Sequence, residues 1–315
     1  QLPQSINYTQ PYWLKENGTV GLYTVADQKN IGIPDIIRET KVIFNVKISG
    51  VEIPFERTVV YKYNDDVKGE IYNFLDIVPI VTTAIQDKVL LFPNTKPKYV
   101  GITIKAGKND LKGSLKLDLP KDWKISPASI PFQLDKKGME QTVYFEVTPP
   151  AQMSEVIGKS ISVIDGVTYD KEQININYDH ITKQQILKTS EVKCIRLDLK
   201  TNEEKIAYIM GAGDEVPKSL SQMGYKVTLL KPEDITPEKL DSFDVVMTGV
   251  RAYNTIQTLA YKQNILFDFV KSGKTMIVQY NTADDLVTSN IAPYPLKISR
   301  DRVTEENAEV RFLAP

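Results

Sequence analysis

The chain has 315 residues, too long for one ordinary domain of roughly 100–200 residues and suited to two or three. Apolar residues make up 42%, enough for a core in each, and 39 Lys plus Arg against 40 Asp plus Glu remove the electrostatic case for nucleic acid or an anionic membrane as partner. One cysteine, Cys194, and one histidine, His180, exclude an internal disulfide, a Cys-x-x-Cys pair, a zinc knuckle and an HExxH-type metal site.

A disulfide-free composition fits the cytoplasm and a bacterial periplasm equally. No apolar run approaches the roughly 18 residues of a spanning helix, so no transmembrane segment is expected. The chain opens at Gln1 without the basic and apolar regions of a signal peptide, and it closes on Arg311-Phe312-Leu313-Ala314-Pro315, which reads as an unfinished strand. Both ends suggest a fragment of a longer protein, with the last domain truncated.

From Pro11 to about Thr83, short alternating runs are broken by turn residues. Val42, Phe44, Val46 and Ile48 alternate with polar neighbours as in a half-buried strand, and Gly50 ends the run. Phe55 to Tyr63 leads into Asn64-Asp65-Asp66, a solvated turn, and Ile71 to Val81 follows Gly69. With no helix-period segment, residues 1–86 are expected to form a first β-sandwich. Residues 87–182 repeat the pattern: Val100, Ile102 and Ile104, then Leu115, Leu117 and Leu119, then Val143, Phe145 and Val147, with Trp123 after a Pro120 turn. Short strands with Pro and Gly turns predict an immunoglobulin-like sandwich that buries Trp123.

The pattern changes in residues 190–315. Ile206-Ala207-Tyr208-Ile209-Met210 is the near-continuous apolar run of a strand covered on both faces. Gly211-Ala212-Gly213-Asp214 turns it into a helix from about Glu215 to Met223, stopped by Gly224. Strands at 225–230, 244–248 and 275–279 alternate with helices opening at Thr236-Pro237 and spanning 256–271. Such alternation predicts βαβ units and a parallel sheet.

Ligands of an open parallel sheet bind beyond the carboxyl ends of its strands. Three such ends send Asp214, Glu215, Arg251, Tyr253, Asn254, Gln279, Tyr280 and Asn281 to one rim, a set rich in hydrogen-bonding groups and without a nucleophile. Four of them also have a scaffolding explanation. Asp214 is placed to cap a helix, Arg251 to pair with Asp214 or Glu215, and Asn254 and Asn281 to shape turns. An enzymatic alternative gives Asp214 or Glu215 acid–base work and Arg251 an anionic substrate.

Gly211-Ala212-Gly213 lacks the third glycine of a dinucleotide loop and is followed by two carboxylates, which oppose a pyrophosphate. Gly158-Lys159-Ser160 lacks the upstream glycine of a P-loop, Met153 standing there. There is no GxSxG elbow. Cys194 lies in a strand before the α/β part and is expected to be buried and inert, and His180 is expected to be satisfied by Asp179. Tyr12, Trp13, Tyr61, Tyr63 and Trp123 are aromatic candidates for sugar stacking, against the plainer expectation that alternating strands bury them.

The stretches Lys205 to Pro217, Gly249 to Thr255, Val278 to Thr282, Pro293-Tyr294-Pro295 and Lys297 to Val303 resemble the downstream region of large bacterial PIG-L (LmbE-like) family deacetylases. Leu117 to Pro127 resembles the immunoglobulin-like module attached to glycosidases and to these deacetylases. The resemblance implies a parent protein that is a zinc-dependent hydrolase of N-acetylglucosamine-type sugars, extracytoplasmic, with its His-Pro-Asp-Asp catalytic domain upstream. This chain would then be its non-catalytic portion, with that upstream domain and possibly a glycan as partners and no cofactor of its own. The α/β part resembles a flavodoxin-like, class I glutamine amidotransferase-like fold, but Gly249-Val250-Arg251-Ala252 stands where such enzymes carry their cysteine.

Overall fold

A computed structural model describes residues 6–34, 36–305 and 307–311. Phe312 to Pro315, part of the expected final strand, lie outside them. The chain forms two compact units. One takes residues 1–90 and 95–196, the other Leu91–Asn94 and residues 197–315. Most of the regular structure is β-sheet, distributed over several sheets.

In the first unit, the strands Val81–Ile85, Lys98–Ala106, Glu140–Thr148 and Lys124–Ser126 form one antiparallel sheet in that order. In another, Ile130–Leu134, Leu111–Asp118, Ser154–Ile164 and Glu191–Arg196 are successive antiparallel neighbours. The predicted alternation is realised. Val100, Ile102 and Ile104, Leu115 and Leu117, and Val143, Phe145 and Val147 are buried, as is Trp123. Buried hydroxyls tie the two sheets together, the Ser160 Oγ donating to Thr83 Oγ1 at 2.8 Å.

The limits of this unit differ from expectation. Val81–Ile85, within the residues expected to form the first sandwich, pairs with Lys98–Ala106, and Glu191–Arg196, at the start of the 190–315 range expected for the last domain, pairs with Ser154–Ile164. Both pairings join residues far apart in sequence, which local patterns do not encode. Residues 41–74 form two separate two-stranded ribbons in place of a sandwich. Lys41–Ile48 pairs with Val51–Thr58, and Val60–Asp65 with Gly69–Phe74. The first turns through Ser49 (φ 51°) and Gly50 (φ 86°), the pair of positive φ values that a two-residue I′ turn demands. In the second, Asp65 accepts backbone N–H bonds from Lys68 and Val67, which hold its carboxyl below the usual carboxylate range. Val42, Phe44, Val46 and Ile48 are on a strand as predicted but exposed, because alternation specifies an apolar face and not the layer that would cover it.

In the second unit four parallel strands run in the order Lys226–Leu229, Lys205–Ile209, Val245–Thr248, Thr275–Val278. Helix Val216–Met223 ends at Gly224, left-handed as predicted. Pro237–Leu240 is opened by Thr236, whose side chain accepts from the Lys239 N–H. The helix expected over 256–271 is divided into a 3-10 segment, Gln257–Tyr261, and an α-helix, Gln263–Lys271. Leu259, Leu266 and Phe269 from these segments pack with Ala207, Ile209 and Val246 of the sheet. No helix among the described residues is long and apolar enough to cross a membrane.

Candidate functional site

The strand Lys205–Ile209 is buried from Ile206 to Ile209, as its apolar run implies, and delivers the turn carrying Asp214. A Cβ on Gly211 would lie 2.2 Å from the Val250 carbonyl oxygen and 2.7 Å from the Ala252 nitrogen. The loops after the first and third strands in sequence are therefore in direct backbone contact, tied by the Ala212 N–H donating to Val250 O at 2.8 Å. Gly213 is left-handed at φ 105°. The glycines that hinted at a phosphate loop serve close approach and a turn.

Asp214 is not the helix cap. Glu215 holds that position, with no side-chain capping bond of its own. Asp214 instead gathers three donors. Its Oδ1 accepts from the Tyr208 hydroxyl at 2.6 Å and from the Val216 N–H at 3.0 Å, and its Oδ2 accepts from the Val250 N–H at 3.2 Å. Gln279 Nε2 donates to the Tyr208 hydroxyl oxygen at 2.6 Å. Burial and the Asp214 carboxylate raise the Tyr208 phenol far above its ordinary pKa, against an opposing effect of Gln279. Tyr208 is thus a neutral, fully engaged relay of hydrogen bonds that joins two strands to the Asp214 turn. It escaped the sequence reading by sitting in an aliphatic run; a buried tyrosine hydroxyl needing a partner was the available signal.

Tyr253 is fully buried. Its N–H donates to Asn281 Oδ1 at 3.0 Å and its hydroxyl to Gln263 Oε1 at 2.9 Å, and burial pushes its pKa up to about 12. Asn281 Nδ2 returns a bond to Gln279 O at 2.8 Å. Asn254 clamps the following loop, donating to Thr282 O and Asp284 O and accepting from the Thr282 N–H. These asparagines shape loops, one of the two roles their sequence allowed.

Arg251 forms no ion pair with Asp214 or Glu215. It holds a left-handed backbone at φ 58°, and its N–H donates to Tyr280 O at 2.6 Å. Its side chain, with those of Glu215 and Tyr280, is exposed. The eight rim residues thus divide into an internally bonded scaffold of Asp214, Tyr253, Asn254, Gln279 and Asn281, and three exposed side chains.

The open space lies to one side of that scaffold. A cleft of about 1320 Å³ is lined by Gln279 to Asp284 at the end of the fourth parallel strand and by residues of the irregular segment 291–304. Tyr280 and Tyr294, both in its wall, are 60% and 66% exposed. Arg300 pairs with Asp284 across it, and Ser299 Oγ donates to Asp301 Oδ2 at 2.9 Å. Asp214, Glu215, Arg251, Tyr253 and Asn254 are not in its lining. Sequence reasoning missed the opposite wall because residues 291–304 carry no hydrophobic period.

Among the described residues no group of three or more His, Cys, Asp or Glu side chains is placed to hold a metal ion. Asp179 pairs with Lys68, not with His180, whose ring stacks on Tyr178 at 5.8 Å between centroids. Tyr61 and Tyr63 project from the second ribbon and are exposed, with 5.6 Å between ring centroids, while Tyr12 meets Trp13 edge-on at 4.9 Å. Cys194 is fully buried, and burial raises its thiol to about 12. Since the thiolate is the reactive species, native protein is expected to show no reaction with a thiol-specific chromogenic disulfide at pH 8 until denaturant is added. A full stoichiometric reaction in native buffer would contradict this placement.

No family model matches the chain, and no curated protein matches it. Solved structures similar to it include a family 123 glycoside hydrolase from Clostridium perfringens, studied for glycolipid glycan hydrolysis, at 8% identity and a TM-score of 0.25, covering 66% of this chain and 51% of that one. The Reelin-N domain of F-spondin is similar at 11% identity and a TM-score of 0.24, covering 38% of this chain and 88% of that one. A Porphyromonas gingivalis protein of unknown function follows at 10% identity and a TM-score of 0.21, covering 42% and 60%. The chain spans about half the length of the glycoside hydrolase.

Proposed function

We propose that this chain is an accessory, non-catalytic region of an extracytoplasmic carbohydrate-active protein akin to the PIG-L family deacetylases, and that its cleft beside Gln279 to Asp284 takes a glycan. The observation that carries this reading is the cleft itself. It combines two exposed tyrosines, Tyr280 and Tyr294, with the hydroxyl groups of Thr282 and Ser299 and the Arg300–Asp284 ion pair. Flat aromatic faces beside short hydrogen-bonding groups suit sugar rings, which present apolar C–H faces and polar edges.

The saturation of Asp214 supports the non-catalytic part. A carboxylate that already accepts from Tyr208, Val216 and Val250 has three donors fixing its orientation, which is the work of a strut more than of a general base. The strand order, with the first strand between the second and third and the fourth outermost, follows the start of a flavodoxin-like sheet and supports the amidotransferase-like reading of this unit. Zinc chemistry belongs, on this reading, to an upstream domain.

Calorimetric titration of the 315-residue chain with N-acetylglucosamine oligosaccharides is expected to show binding that Tyr280→Ala and Tyr294→Ala each weaken by about tenfold, the loss of one stacking contact. Tyr261→Ala, which removes an 86% exposed ring not in the cleft wall, is expected to change nothing. Absence of binding at millimolar sugar, or binding indifferent to both cleft variants, would refute the glycan reading. Zinc-dependent acetate release by this chain would refute the non-catalytic one.

A further inference from the structure

The ribbon of residues 41–58 has two unlike faces. Residues opposite one another across an antiparallel pair share a face, so the register places Val42 with Arg57, Phe44 with Phe55, Val46 with Ile53 and Ile48 with Val51 on one side. Seven of these eight residues are apolar. The other side is mainly polar, with Lys41, Asn45, Lys47, Glu52, Glu56 and Thr58 around Ile43 and Pro54, and with Lys41 Nζ and Glu56 Oε2 paired at 2.9 Å. The polar side is suited to water. On the apolar side, exposure runs from 38% at Ile53 to 62% at Val51, and no residue reaches burial.

We propose that this face is a dimerisation surface whose occupant is the same face of a second copy of the chain. Two arguments select that occupant. The first is area: seven half-exposed Val, Ile and Phe side chains present about 600 Å² of apolar surface, at the upper end of what a monomer leaves uncovered and near the ~800 Å² per partner of a stable complex. The second is shape. The face has four cross-strand rows: Val42/Arg57, Phe44/Phe55, Val46/Ile53 and Ile48/Val51. A two-fold axis between the stacked ribbons, perpendicular to their strands, sets the bulky Phe44/Phe55 row of each copy on the smaller Val46/Ile53 row of the other. Large residues then meet small ones on both sides of the axis, as interdigitated sheet packing requires, and the contact is isologous and closed. Arg57, the one charged member, falls in an end row, where its stem covers apolar surface while its guanidinium stays wet.

The test is the mass of the intact 315-residue chain in solution by light scattering during gel filtration, or by sedimentation. Wild-type protein is expected at twice 35.6 kDa. Phe44→Glu is expected to weaken the dimer by about 100-fold or more, because it buries an unpaired charge at the centre of the contact. That position is exposed in one copy alone, so the variant keeps its fold, and circular dichroism will show it. Lys47→Ser, on the opposite face, is expected to leave the mass unchanged. A monomeric wild-type chain at about 100 μM, weaker than useful for an interface of this size, would overturn the proposal and hand the face to a different occupant in a longer chain. A dimer that survives Phe44→Glu would overturn it too, by placing the contact elsewhere.

Discussion

Alanine at position 211 is expected to destabilise the α/β unit by about 3 kcal/mol or more, since overpacking of this severity cannot relax by side-chain movement. The added methyl would lie 2.2 Å from one backbone atom, Val250 O, and 2.7 Å from another, Ala252 N. Relief requires the two loops to part, which breaks the Ala212 N–H to Val250 O bond at 2.8 Å and pulls the Val250 N–H away from Asp214. The composition supplies two separate reporters. The two tryptophans, Trp13 and Trp123, are in the β-rich unit, and the α-helices of the described residues are in the other. In Gly211→Ala the helical circular dichroism is expected to melt earlier, with the tryptophan fluorescence transition unmoved. An unchanged helical melt would mean that the loops are not in the contact described.

The converse variant is Phe145→Ala. Phe145 is fully buried opposite Val100 on the neighbouring strand. Truncating a core phenylalanine removes its transfer free energy and leaves a cavity, together ~3–5 kcal/mol, or a fall of order 10 °C in the midpoint of a unit this size. Here the tryptophan transition is expected to move and the helical one to stay. A shift of less than about 1 kcal/mol would show that the two sheets close over the void, which close-packed interiors resist.

What the sequence disclosed followed the reach of its patterns. Ile206 to Met210 announced a strand covered on both faces, and Gly224 announced the end of a helix, because each signal is complete within a few residues. The alternation at Val100, Ile102 and Ile104 likewise named the inward face correctly. The same alternation at Val42 to Ile48 misled, because it records that a face is apolar and is silent on whether anything covers it. Val81–Ile85 went to the wrong sheet because its partner lies some way along the chain and nothing local names it.

Of the rim residues named from the strand ends, Gln279, Tyr280 and Asn281 are in the cleft wall. Polarity alone did not separate side chains that hold loops from side chains left open. Asp214 and Asn254 have the composition of ligand groups and spend it on backbone N–H and C=O groups. Tyr208, which organises the rim, was hidden because it is also core.

The membership of Leu91–Asn94 in the second unit has a consequence for how the protein is made. The Leu91 N–H donates to Gln222 Oε1 at 2.8 Å, and the Leu197 and Leu199 N–H groups donate to Phe92 O and Pro93 O at 3.0 and 3.2 Å. In chain order the β-rich residues 95–196 are therefore an insertion within the second unit. On the ribosome four residues of that unit emerge and wait while the whole insertion is synthesised, so its folding is bound to come last. Expression of residues 197–315 alone begins with those four missing; a version carrying Leu91–Asn94 joined by a short linker is the one that restores their bonds.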